Sequence, residues 1–260
     1  MVILGYSQKC TVIRIIALTK IDTVINNIKG VLTMAILSGN VIGNMKGKLG
    51  NLSARTVEGR TIMAARPYSF NARQDPASLE VRAKFAVTAN FSKSVIFLST
   101  LSAIWNKVKS SGISAFNAIF KANFAFSAID KPTEHNVLTP EGFPLLIAVV
   151  AVAADKITAT IPILNAASVF GADEVNFSAN ALVCYYDPAN VEDEPFKIIS
   201  LSKEVAAHNF AQTYDLEIDL NATQKIIAAK YQHSILYVCV VTKTADGKVV
   251  QNSSTFTKIN

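Results

Sequence analysis

Ala181-Leu182-Val183-Cys184-Tyr185-Tyr186 and Leu236-Tyr237-Val238-Cys239-Val240 are short apolar runs rich in β-branched and aromatic residues. Each reads as a buried β-strand. Neighbouring segments have the same texture: Lys156 to Ile161 alternates apolar with polar, and Val175 to Tyr186, Phe196 to Leu201, Thr213 to Leu220 and Ile235 to Thr242 follow. Thr244-Ala245-Asp246-Gly247-Lys248 holds the Asp-Gly pair of a tight hairpin, predicting that Val238 to Thr242 pairs with Val249 to Ser253 and that Lys243 and Lys248 face solvent. Leu182, Cys184 and Tyr186 share one side of their strand, and Ile235, Tyr237, Cys239 and Val241 share one side of theirs. Two such faces can cover each other. The expectation is an antiparallel β-sandwich, immunoglobulin- or fibronectin-III-like, that folds on its own from about residue 155 to 258.

Cys184 and Cys239, with Tyr237 two places before the second, match the spacing of an immunoglobulin inter-sheet disulfide. The partner tryptophan is missing, because Trp105 is the only one in the chain and lies far upstream. Free buried thiols are the expectation, with a bridge as the alternative. Cys10 makes the count odd, and no two of the three cysteines lie at metal-ligand spacing.

Upstream of the strands the periodicity changes. Asp75-Pro76-Ala77-Ser78-Leu79-Glu80 supplies an N-cap, a proline at the first helical position and an early acid. No glycine or proline occurs from 77 to 109, so one long helix or two joined ones should follow. Ser110-Ser111-Gly112 breaks the pattern before a second helix, Ile113 to about Ser127, that aligns Phe116, Phe120 and Phe124. That stripe is read as core rather than as a partner face. From Ser38 to Arg66, five glycines among Asn, Ser and basic residues suggest short strands or an extended arm. The fold class is α+β: a basic, glycine-rich N-terminal arm plus a helical middle, together over 34–130, and a β-sandwich domain over 131–260.

Residues 1–33 are apolar, but Lys9, Arg14, Lys20, Asp22 and Lys29 interrupt them too often for a membrane span. They also lack the order of a signal peptide. They are expected to be a non-native extension, with the start at Met34. The run from Pro144 to Ala154 is too short to span a bilayer and reads as one or two buried strands. A soluble protein with no membrane contact is expected.

The net charge of +6 conceals two opposed halves. Residues 1–130 carry 16 Lys or Arg against 5 acids, and residues 131–260 carry 9 against 14. Within the first half, Lys46, Lys48, Arg55, Arg60, Arg66, Arg73, Arg82 and Lys84 form a basic stretch with Tyr68 and Phe70 interleaved. Such a stretch suits an anionic partner, either an acidic subunit or the phosphate backbone of a nucleic acid through residues 46–84.

Signatures of enzymatic chemistry do not assemble. Gly43-Asn44-Met45-Lys46-Gly47-Lys48-Leu49 has the wrong glycine spacing for a phosphate loop and Leu49 where a hydroxyl should hold magnesium. His135, His208 and His233 are scattered and read as ordinary surface or loop residues. Glu192-Asp193-Glu194 between Pro188 and Pro195 reads as a solvated loop without the alternating oxygen ligands and glycine of a calcium site. No catalytic residue, cofactor or metal is expected.

From Met34 onward the chain resembles an uncharacterised family of bacterial and phage proteins, a domain of unknown function of about 200 residues. The features carrying the likeness are Gly47-Lys48-Leu49-Gly50-Asn51, Arg66-Pro67, Arg82-Ala83-Lys84-Phe85, Phe116-Asn117-Ala118, Tyr186-Asp187-Pro188 and Asp246-Gly247-Lys248-Val249-Val250-Gln251-Asn252-Ser253. The chain departs from it at Val57-Glu58-Gly59, where a tryptophan-glycine step is usual. The resemblance implies a start near Met34, a non-catalytic role and an association with phage-like elements. The expectation is a structural or assembly component that self-associates or binds other structural subunits. A nucleic-acid-associated protein using the basic arm is the alternative.

Overall fold

The computed structural model describes residues 34–37, 45–57, 59–66 and 72–260. The expected extension, residues 1–33, and the interleaved Tyr68 and Phe70 lie outside the described residues. The chain divides into two compact units, Met1–Ala72 and Arg73–Asn260.

In the first unit the glycine-rich segment forms strands rather than an open arm. β1 (Met34–Leu37), β2 (Gly47–Leu49), β3 (Leu52–Val57) and β4 (Arg60–Ala65) make an antiparallel sheet in the order β1-β4-β3-β2. Gly50 (φ +57) and Gly59 (φ +76) take the left-handed conformations of the two tight turns. Among this unit's described side chains, only Ala54 and Thr61 are buried.

The second unit opens with α1 (Pro76–Phe97), α2 (Ser99–Val108) and α3 (Ala115–Asn123). The Asp75 carboxylate accepts from the Ser78 backbone N–H at 3.2 Å, the cap read from the sequence. Extended geometry at Leu98 (φ −79, ψ 113) ends α1, and α2 leaves at 106°. A five-stranded sheet follows: β7 (Glu174–Pro188), β8 (Phe196–Val205), β10 (Tyr231–Thr244) and β11 (Val249–Asn252) in the order β11-β10-β7-β8, with β12 (Phe256–Ile259) also pairing β10. A second sheet has the order β5-β6-β9, from β5 (Val150–Val152), β6 (Lys156–Ile161) and β9 (Tyr214–Asp219). A short helix, α4 (Ala222–Ala228), joins β9 to β10.

β7 and β10 are the centre of the fold, and every residue from Phe177 to Tyr185 and from Ser234 to Thr242 is buried. Phe177, Ala179, Ala181, Val183, Leu236 and Val238 pack toward Ile157, Ile161 and Leu216 of the smaller sheet. Leu182, Cys184, Ile235, Tyr237, Cys239 and Val241 lie on the opposite face, against Phe91, Val95, Leu101, Trp105 and Ile119 of the helices. This corrects the sequence reading, in which those two sets faced each other across a sandwich. They are neighbours on one sheet, with Cys184 opposite Ile235 and Leu182 opposite Tyr237, and the helices cover them. The observed compact unit therefore takes in both the helices and the sheets, rather than dividing at residue 130.

Polar contacts stitch the layers. Thr100 Oγ1 donates to Asn180 Oδ1 at 2.7 Å, Trp105 Nε1 to Leu138 O at 2.8 Å and Tyr237 Oη to Thr133 O at 2.6 Å. Such bonds satisfy groups that burial would otherwise leave unpaired. At Gly142 the backbone passes so close to β11 that a Cβ would sit 2.2 Å from Asn252 O. The Asp246–Gly247 turn forms as expected, with Gly247 at φ +77 and its N–H donating to Thr244 O at 2.9 Å. Lys243 departs from expectation: its Nζ reaches across β7 to Glu204 at 2.7 Å, and its side chain is only 13% exposed.

Cys184 and Cys239 are free and buried. Cys239 stands opposite Asn180, four residues along β7 from Cys184, so about 13 Å of strand separates the two. No disulfide spans that. Burial pushes the Cys184 thiol up to about 12 and that of Cys239 well above its ordinary value, making both inert thiols. Among the described residues no single helix is long and apolar enough to cross a membrane; α1 and α2 together pass only as a bent pair, and Val87, Phe91, Val95, Leu101, Ile104 and Trp105 of that pair are core.

Candidate functional site

The eight basic residues singled out by sequence are divided between the two units. In the first, strand register collects three of them. Lys48 stands opposite Ser53, Arg55 opposite Ile62 and Arg60 opposite Val57. Residues on β3 at 53, 55 and 57 share a face, so Lys48, Arg55 and Arg60 form a diagonal across β2, β3 and β4, at steps of about 7–8 Å. All three are exposed, and none has an ion-pair partner among the described residues. Lys46 precedes β2 and Arg66 follows β4, both exposed.

The other three belong to the second unit and have local roles. Arg73 lies 3.9 Å from Asp75 just ahead of α1. Lys84 donates to Ala125 O at 3.0 Å and sits 5.4 Å from the Phe124 ring centre, tying α1 to the end of α3. Arg82 is exposed on α1. The phenylalanine stripe lies beside Lys84: Phe116, Phe120 and Phe124 are half-buried on the shoulder of α3, and Phe120 meets Phe85 at 4.7 Å. The residues of α3 that enter the core are Ala115 and Ile119. The stripe is thus only partly the core element expected of it.

A cleft of about 560 Å3 opens at the far end of β7, lined by Asp130, Lys131, Tyr186, Asp187, Asp193 and the exposed Val191, with Pro188 and Pro195 at its sides. Asp187 holds φ +60, a left-handed conformation that Asp tolerates better than most residues. Its Oδ2 lies 3.5 Å from His233 Nε2. The Tyr186 ring carries Lys131 Nζ at 4.5 Å from its centre and the His233 ring at 5.5 Å. Lys230 donates to Asp193 at 2.6 Å, and that bond raises the Lys230 pKa. Asp130 and Lys131 are neighbours at 3.4 Å. Glu192 is exposed and has no ion pair among the described residues.

The acidic turn therefore contributes Asp193 to the wall of a concave surface rather than standing as an isolated solvated loop. The sequence reading missed this, because the cleft joins residues 130–131 to residues 186–195, which are far apart along the chain.

His135 and His233 are exposed, as expected. His208 is different. Its ring lies 5.0 Å from Phe177 and 5.6 Å from both Phe210 and Tyr214, and its Nε2 is buried with no partner in the structure. Burial lowers its pKa. Among the described residues no group of three or more His, Cys, Asp or Glu is placed to hold a metal ion.

No family model matches the chain, and no curated protein is similar to it. Among solved structures, a β-glucosidase from Kluyveromyces marxianus matches in two forms. The selenomethionine-labelled form is 12% identical with a TM-score of 0.20, and the glucose complex is 13% identical with a TM-score of 0.17. Each match takes in 55% of this chain and 17% of the glucosidase. Likenesses at that level carry no argument about fold or function.

Proposed function

We propose that this chain is a non-catalytic structural or assembly protein whose N-terminal sheet docks on a neighbouring subunit. The observation that carries the reading is the thin cover of that sheet: four paired strands, yet only two of the described side chains are buried. A sheet gains little from backbone pairing unless one of its faces is also taken out of water. The resemblance noted above supports a phage-like particle as the setting and a soluble subunit. In the second unit, strands β5, β6 and β9 facing β8, β7, β10 and β11 across one core support an immunoglobulin- or fibronectin-III-like sandwich with a helical layer added outside. Sedimentation of the purified chain over a range of concentrations tests the reading. Discrete oligomers in the absence of nucleic acid are expected, and a monomer at every concentration refutes it.

A second reading, binding to a nucleic-acid backbone, is favoured by the diagonal of Lys48, Arg55 and Arg60. Retention of arbitrary duplex DNA that vanishes steeply as salt rises is its signature.

A further inference from the structure

We infer that the neighbour met by the cationic sheet face is a second copy of this chain, and that the surface engaged there is the acidic cleft of the second unit. The inference rests on the assembly reading above and adds the partner and the contact.

Charge is the first argument. From Met34 to Ala72 the chain holds five basic residues against one acid, whereas the cleft is lined by Asp130, Asp187 and Asp193 against Lys131. The two surfaces are opposite in sign and carried on the same molecule, so every copy supplies both halves of the contact. Opposed potentials of this kind steer encounter and fix register.

Local chemistry is the second. The cleft's own cations are engaged, Lys131 with Asp130 and Tyr186 and Lys230 with Asp193. Among the described residues Asp187, in the cleft, has an imidazole at 3.5 Å as its ion-pair partner, and Glu192, between the cleft residues Val191 and Asp193, has no ion pair. Those carboxylates suit the planar, bidentate guanidinium of an arginine, and Tyr186 and His233 offer ring faces on which it can stack. The apolar surroundings correspond as well. Val57 and Ile62 share the sheet face with Arg55 and Arg60 and are half-exposed. Val191 on the cleft is 97% exposed. A cleft of about 560 Å3 has room for one inserted side chain and its neighbours.

Because the two surfaces differ, the contact is heterologous. Repeated from copy to copy it closes into a ring or runs on as a filament, and it does not make a two-fold dimer.

Charge-swap variants of the full chain, followed by sedimentation and light scattering at low and high salt, test this. Arg55→Glu with Arg60→Glu should weaken association at least about tenfold, and Asp130→Lys with Glu192→Lys should do the same. Mixing the two variant proteins should restore assembly, since the acidic sheet of the first matches the basic cleft of the second and the unchanged sheet of the second still matches the unchanged cleft of the first. Circular dichroism checks folding, and if the arginine reversal unfolds the first unit, Arg55→Gln with Arg60→Gln replaces it. Oligomers that survive both reversals overturn the contact while leaving the assembly reading standing. A wild-type chain that is monomeric throughout removes both. If the arginine variant still assembles but no longer retains duplex DNA, the cationic face belongs to nucleic acid and the inference is overturned.

Discussion

The two larger sheets of the molecule are paired alike and covered differently. In the first unit, β1 to β4 pair antiparallel through tight glycine turns and bury two described side chains. In the second, β7 and β10 run for 15 and 14 residues with helices against one face and a second sheet against the other. Backbone hydrogen bonds are common to both, so cover is what separates them. The β7–β10 sheet is covered on both faces, and the first sheet has little cover among the described residues.

The largest effect should come from stripping the helical cover. A chain beginning at residue 150 leaves Leu182, Ile235, Tyr237 and Val241 without α1 to α3, and it should bind a hydrophobic dye and show no cooperative melt. The strand pattern alone predicts that this half folds by itself, and a sharp transition with a β-type spectrum would bear that out against the role given to the helices. Next comes Phe91→Ala on α1. Phe91 is 0% exposed and meets Tyr237 edge-on at 5.3 Å. Its truncation should destabilise the chain by about 3–5 kcal/mol in denaturant melts, and a loss under about 1 kcal/mol would mean the cover is loose.

Gly247→Val tests the turn at one end of the sheet. Nothing lies within 4 Å of an added Cβ there, so only the φ of +77 resists a β-branched residue. A loss of about 1–2 kcal/mol is expected, and a wild-type melting temperature would count against the turn. His208 adds a pH dependence. Its folded pKa lies below the ordinary 6.5, so below that pH the unfolded chain takes up a proton that the folded chain resists. Stability is unaffected above about pH 6.5 and falls as pH drops through the lowered value. His208→Phe should flatten the acid side of the melting-temperature profile, and parallel profiles for the two proteins would refute it. The smallest effect belongs to the first sheet, where Leu49 is 54% exposed. Leu49→Ser should change stability by less than about 0.5 kcal/mol, and a larger loss would show a cover that the burial pattern does not.

Local signals in the sequence located much of this fold. The Asp75 cap, the Gly247 turn and the bounds of β6 depend on neighbouring residues and were readable as written. The helical cover was readable too. A half-exposed antiparallel strand alternates, and Ala181 to Tyr186 does not; an unbroken apolar run means both faces are buried. The capping box that starts α4, Asn221 with Gln224, also stood in the sequence, four residues long and easily passed over. The cationic diagonal was half-visible, since the glycine turns and period-two spacing fix which of the eight residues share a face. Neither the acidic cleft nor the aromatic surroundings of His208 left any local mark, because both are made by pairing between distant strands.

One contact sets the order of events during synthesis. Lys107 Nζ, on α2, donates to the carbonyl of Val249, 142 residues further along the chain. At a translation rate of about 5–20 residues per second, roughly 7–30 s pass between the emergence of the helices and that of the strand they clasp. Until β10 arrives, Phe91, Val95 and Leu101 have only β7 and β8, through Leu182, Cys184 and Phe196, to lie against. The helical face is therefore only partly covered until β10 and β11 arrive to complete the sheet beneath it.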